Sequence, residues 1–179
     1  MAQGVVVIAE YRNNSFRKMS LEAVCEGKRL ANELGEKLTA VVMGSGVTEG
    51  ASELGNYGAD RIIAADDTAL QSFRGEAYTN VLCDIIKECS PRILLTGATS
   101  TGIELSARAA ARLGVGLATE CTSLRLDEDR LVATRPLYGG RVISEVDIEG
   151  TPQMVSIRPN TMKIEEIAGA GEVASFGVD

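Results

Sequence analysis

Two stretches hold the residues best suited to chemistry. Gly97-Ala98-Thr99-Ser100-Thr101-Gly102 sets hydroxyls between two glycines, just before an Ala-rich run that ends at Gly114. Small residues let a backbone approach a ligand closely, and hydroxyls with helix N-terminal amides hold phosphate oxygens. The stretch is no P-loop, because G-K-[ST] is missing, and its glycine spacing is not the dinucleotide fingerprint. The structural alternative is a loop with an N-cap, Thr99, Ser100 or Thr101 accepting a helix amide. The second stretch is Thr134–Gly140, TRPLYGG. Pro136 forces an extended conformation on Arg135. The permanently charged, forked guanidinium suits a phosphate, a carboxylate or a flavin edge. Gly139-Gly140 makes a tight turn that presents Tyr138. The alternative is a β-hairpin with a structural Tyr and a surface Arg.

Weaker candidates stand at other strand ends. Arg12, Arg17 and Lys18 follow the first strand and form either one side of a crevice or a solvated basic loop. Asp66-Asp67 follows the third strand and either binds a ribose or caps the next helix. Four cysteines (Cys25, Cys83, Cys89, Cys121) lie in apolar or helical patterns without C-x-x-C spacing, which reads as reduced core thiols. There is no histidine, so the commonest general base and metal ligand is missing. Nucleophile, base and orienter nowhere come together, and hydrolytic or metal catalysis is disfavoured.

These residues need a scaffold of strands and helices. Gly4–Ala9, Leu38–Met43, Arg61–Ala65 and Arg92–Leu95 are short apolar runs, the pattern of strands buried on both faces. Between them lie a polar loop at Glu10–Met19 and a helix from Ser20, its expected N-cap, to Leu34, closed by Gly35. A short helix over Val47–Tyr57 and a longer one over Phe73–Cys89, stopped by Pro91, follow. A further helix covers about Gly102–Leu113. This alternation predicts a doubly wound α/β fold with a mainly parallel sheet. After Gly116 the strand-like runs Glu120–Leu126, Leu131–Pro136, Arg141–Asp147 and Gln153–Ile157 predict an antiparallel or mixed extension. Residues 161–179 lack a strong period and read as an extended strap or linker, which sets the domain at 1–160.

Composition narrows the class. The 179 residues suffice for one continuous core, and scarce aromatics without Trp make that core aliphatic. A net charge of −7 and a pI near 4.8 disfavour nucleic acid and anionic membranes as partners. Neither an apolar run of spanning length nor a basic-then-apolar leader is present, so a soluble cytoplasmic protein is expected.

Read together, these pieces resemble the N-terminal domain of the electron transfer flavoprotein alpha subunit. The likeness is carried by VVVIAE near the start, GADR at 58–61, LLTGATSTGIELSARAAARLGVGLATECTSL at 94–124, TRPLYGG at 134–140 and MVSIRPNTM at 154–162. The resemblance implies the adenine-nucleotide-binding, universal-stress-like α/β fold. It implies an electron carrier without catalytic residues of its own, bacterial or archaeal. Such a carrier is part of a heterodimer shuttling electrons from flavin dehydrogenases, such as the acyl-CoA dehydrogenases of fatty acid oxidation, to a quinone oxidoreductase or other acceptor. The redox FAD is expected mainly on a C-terminal domain that would begin where this chain stops. AMP or a second FAD is expected on the beta subunit, and none on this chain, which is read as a domain fragment. The TRPLYGG segment is expected on the inter-subunit side, with Arg135, Tyr138 and Gly139 as flavin or interface contacts. The competing reading is a stand-alone ATP- or AMP-binding module using the Gly97–Gly102 loop.

Overall fold

The computed structural model describes residues 2–167 and 169–178. In chain order its elements are β1 (Val5–Ala9), β2 (Tyr11–Arg12), β3 (Ser15–Phe16), α1 (Lys18–Leu34), β4 (Leu38–Gly44) and α2 (Thr48–Ala51), then β5 (Arg61–Asp66), α3 (Gly75–Cys89), β6 (Ile93–Gly97) and α4 (Ser100–Leu113). The second half holds β7 (Leu117–Cys121), β8 (Ser123–Asp127), β9 (Arg130–Leu137), β10 (Val142–Asp147), β11 (Gln153–Ile157) and β12 (Glu172–Ser175). The central sheet has seven strands in the order β12-β5-β4-β1-β6-β11-β7. Every pairing in it is parallel.

Side chains alternate across this sheet with a period of two. Val5, Val7 and Ala9 face α1, packing with Ala23, Val24, Leu30 and Ala31. Val6 and Ile8 face α3 and α4, packing with Leu82, Ile85, Leu105 and Ala109. Helices on both faces leave the central strands buried throughout, which is why they read as unbroken apolar runs. The doubly wound α/β fold follows as expected.

Several local expectations are corrected. Ser20 is not the cap of α1, which begins two residues earlier behind Arg17 without a side-chain cap. The Ser20 hydroxyl instead accepts the Glu10 N–H at 2.7 Å. The polar loop after β1 contains the small antiparallel pair β2–β3, turned by Asn13 and Asn14 at φ 53° and 58°. Two consecutive left-handed residues make the turn whose twist suits a two-residue hairpin, and Asn tolerates it. Helix α3 ends at Ser90 in the left-handed region, one residue before Pro91.

The larger correction concerns the extension. Of the strands in the extension, β8, β9 and β10 form an antiparallel sheet, in the order β10-β9-β8. Gln153–Ile157 returns to the main sheet as a parallel strand between β6 and β7. Gln153 joins the two sheets from the inside, its side chain accepting the Leu131 N–H at 3.0 Å and donating to the Ile148 carbonyl at 2.7 Å. Within the stretch read as a strap or linker, Glu172–Ser175 forms a strand that pairs in parallel with β5, at the sheet edge opposite β7.

Candidate functional site

The parallel strands bring the first candidates to one edge of the sheet. The Gly97–Gly102 loop leaves the C-terminal end of β6 and opens α4, beside Glu10 at the end of β1. Thr99 is the N-cap: its hydroxyl oxygen accepts the Gly102 N–H at 2.9 Å. The same hydroxyl donates to the Glu10 carboxylate, which also meets Arg17 at 3.3 Å. A methyl group on Gly102 would lie 2.0 Å from the Gly97 carbonyl oxygen, so only glycine lets the loop close on itself. The anion at this helix N-terminus is the protein's own Glu10, which disfavours a phosphate at the same point. The capping reading of the loop describes what is seen.

Asp66 and Asp67 are also used internally. Asp66 accepts the Gly46 N–H at 2.7 Å, the Thr48 N–H at 3.0 Å and the Thr48 hydroxyl at 2.7 Å. The Thr48 amide and hydroxyl hold its pKa below the ordinary carboxylate value. Asp67 caps the short 3₁₀ turn after it through Ala69 N–H at 2.7 Å. Of the basic trio, Lys18 reaches Asn160 at 2.9 Å, Arg17 pairs with Glu10, and Arg12 has no ion-pair partner among the described residues.

The second stretch is built differently. On β9, Leu131 and Ala133 point into the α1-side core, and Arg135 continues the same inward row at the rim where that core ends. Its guanidinium donates to the Thr119 hydroxyl on β7 at 2.9 Å, while its buried Nε has no partner among the described residues. Thr119 sits at a bulge: two steps along β11, from Val155 to Ile157, face three along β7, from Ala118 to Cys121. The extra residue puts Glu120 at φ 55°, with its N–H on the Ser156 hydroxyl at 3.1 Å. Bulges re-aim side chains at sheet margins, and this one turns Thr119 toward Arg135. Below the pair, burial pushes the Cys121 thiol up to about 11, with the charge of Arg135 pulling the other way.

Beyond Arg135 the chain turns between Leu137 and Val142, which pair across β9 and β10. Tyr138, Gly139 and Gly140 all have positive φ, at 50°, 69° and 88°. Glycine takes these angles freely, whereas a tyrosine there is strained by about 1–2 kcal/mol. The strain presents the ring: Tyr138 is 80% exposed, and Val142 and Ile143 beside it are 46% and 64% exposed. Among the described residues, the β10 edge carries no further strand. An apolar tip on an open strand edge invites a protein partner.

Residue reading overlooked three positions that fix this geometry: Glu10, Thr119 and Glu22. Glu22 is 1% exposed, and its carboxylate accepts the N–H groups of Asn160, Thr161 and Met162 at 3.2, 3.2 and 3.3 Å. The one available sign was its place in the helix, four residues before the other buried acid, Glu26.

Among the described residues no helix is long and apolar enough to cross a membrane, and no group of His, Cys, Asp and Glu is placed to hold a metal. The family model described as the electron transfer flavoprotein domain matches residues 5–179. The chain is 43% identical over 171 residues to "Protein FixB" of Clostridium saccharobutylicum, covering 94% of this chain and 51% of that protein. It is 42% identical over 164 residues to the electron transfer flavoprotein subunit alpha of Clostridium acetobutylicum, covering 90% and 49%. It is 34% identical over 187 residues to the acryloyl-CoA reductase electron transfer subunit beta of Anaerotignum propionicum, covering 90% and 51%. The chain thus spans about half the length of the curated relatives it matches.

Proposed function

The chain belongs to the electron transfer flavoprotein domain family, and from that premise we propose that it is the subunit-docking half of an alpha-type subunit. In this reading it pairs with a beta-type subunit, and the complex carries electrons from a flavin dehydrogenase, such as an acyl-CoA dehydrogenase, to a quinone oxidoreductase or other acceptor. The chain supplies shape and contacts rather than bond-making chemistry, and the strap at 161–178 leads toward a flavin-binding domain. The relatives' names support an electron-transfer role. One of them is named for acryloyl-CoA reductase, which favours a CoA-linked enzyme as a redox partner.

The observation that carries the docking reading is the Tyr138–Ile143 tip, exposed and apolar on an open edge, next to a guanidinium whose Nε has no partner among the described residues. FAD would supply the complex with a group that takes up and hands on electrons. This chain's residues fit the rim of such a group rather than a cradle for it. Arg135 has donor capacity beyond its bond to Thr119, held at a fixed angle by the core-facing row of β9. It is suited to an acceptor on a flavin edge or on the partner subunit. Tyr138 and Gly139 would close over the partner, excluding water from that contact.

The test is Arg135→Ala and Arg135→Lys in the complex with the beta-type subunit. The reading expects altered flavin absorbance and slowed electron transfer for Ala, with partial recovery for Lys. Unchanged spectra and rates in both variants would remove Arg135 from the site.

A further inference from the structure

The crevice beside β1 is separate from the docking tip. It lies at the C-terminal edge of the sheet, where β1 has β4 on one side and β6 on the other. The chain runs from β1 to β4 and β5 on one side before crossing to β6 on the other, so this is a topological switch point. Parallel sheets leave an opening there, outside the strand ends. The opening is a cavity of about 360 Å³, within the range of small-ligand sites.

Its walls divide by chemistry. Met43, Phe73 and Tyr78 are among its apolar lining, and the rings of Phe73 and Tyr78 are 5.0 Å apart, edge to face. Arg12, Gln71, Ser72 and Thr101 are among its polar lining, and none of these four side chains donates to or accepts from a side chain among the described residues. Glu10 is also in the wall, but its charge is already engaged by Arg17 and the Thr99 hydroxyl. That leaves Arg12 as the surplus cation, in a chain whose net charge is −7. A larger cavity of about 560 Å³ at the opposite edge makes the contrast. There Arg92 pairs with Asp129 at 3.3 Å and Arg130 with Asp147 at 2.9 Å, so its charges are spent within the wall.

We infer that this crevice binds a small organic anion carrying one flat ring. The ring lies against Phe73, Tyr78 and Met43, and the anionic group meets Arg12, with Gln71, Ser72 and Thr101 as hydrogen-bond donors. An aromatic and apolar wall with a few convergent polar groups is the usual build of such a site. A phosphate and a carboxylate share the chemistry Arg12 offers.

Of the four tyrosines, Tyr11 and Tyr78 line the crevice, so their ring resonances report occupancy by NMR. Phenyl phosphate and benzoate are titrated as probes, with inorganic phosphate and phenol as controls, and melting temperature is followed in parallel. The expected result is a saturable change with at least one ring-bearing anion below about 10 mM, at least about tenfold weaker for phosphate alone and for phenol. Whichever of phenyl phosphate and benzoate binds tighter identifies the anionic group. Arg12 is exposed and unpaired, so Arg12→Gln keeps the parent melting temperature and weakens the tighter probe about tenfold or more, and Arg12→Glu abolishes its binding. No saturation with either probe, equal binding by phosphate alone, or an Arg12→Gln titration matching the parent would overturn the assignment.

Discussion

Arg135 donates to the hydroxyl of Thr119 at 2.9 Å, and this bond spans the two sheets of the molecule. Thr119 belongs to the parallel sheet and Arg135 to the antiparallel one. The bulge on β7 makes the meeting possible, since a regular strand would not place the extra residue at this end. The direction in which the hairpin leaves the core therefore depends on a residue of the other sheet. Thr119→Val removes this acceptor and leaves more of a half-buried guanidinium unpaired. It is expected to cost about 1–3 kcal/mol in urea unfolding, whereas Thr119→Ser stays near the parent.

The Thr99 hydroxyl serves two partners, accepting from Gly102 and donating to Glu10. Thr99→Val loses the helix cap and leaves Glu10 short of a donor, for an expected cost of about 1–2 kcal/mol. Thr99→Ser keeps both bonds. Equal stability of the Val variant would show that the cap contributes nothing.

Acid stability has a definite sign at Asp66. Its folded pKa lies below the unfolded value, chiefly through the Thr48 amide and hydroxyl. The stabilisation is fully present above the unfolded value, roughly pH 4, and is lost as pH falls through the folded pKa. Asp66→Asn should be less stable than the parent at neutral pH and should converge with it as the pH falls. Urea midpoints measured down the acid limb check this, and a gap that does not narrow contradicts it.

Glu22 holds the start of the strap from beneath. Gln at this position keeps the size but not the charge, and charge-assisted bonds to backbone N–H groups are about twice as strong as neutral ones. Glu22→Gln should speed hydrogen exchange at Asn160, Thr161 and Met162, while β1 and β4 in the sheet interior keep their protection. Unchanged exchange at those three amides would mean that the strap is held elsewhere.

The sequence revealed local structure better than long-range choice. The strand expected over Arg92–Leu95 and found at Ile93–Gly97, its loop and the helix closed by Gly114 were legible because burial pattern, cap and closing glycine all agree over one short stretch. The turn at Tyr138–Gly140 was legible for the same reason. Gln153–Ile157 reads like any other doubly buried strand, and its place between β6 and β7 is decided by Gln153, whose partners lie 5 and 22 residues away. Ser20 looked like a cap because cap propensity is local, but Glu10 claimed its hydroxyl from across the crevice mouth. The strand in the strap was hidden because four residues of mixed polarity carry no period of their own. Arg135 and Tyr138, the residues proposed for docking, stand out by their types and neighbours. Thr119 does not, since a bulge depends on the register of two strands rather than on either sequence.

In the proposed function, the hairpin tip docks a beta-type subunit of the same family. The direct measurement is the dissociation constant of the chain with that subunit, for the parent and for Tyr138→Ala combined with Ile143→Asp. Both side chains are exposed, so the urea midpoint should change little. The parent is expected to form a stable complex and the double variant to bind at least about tenfold more weakly. Absence of a complex with the parent, or the same constant for both proteins, would contradict that docking.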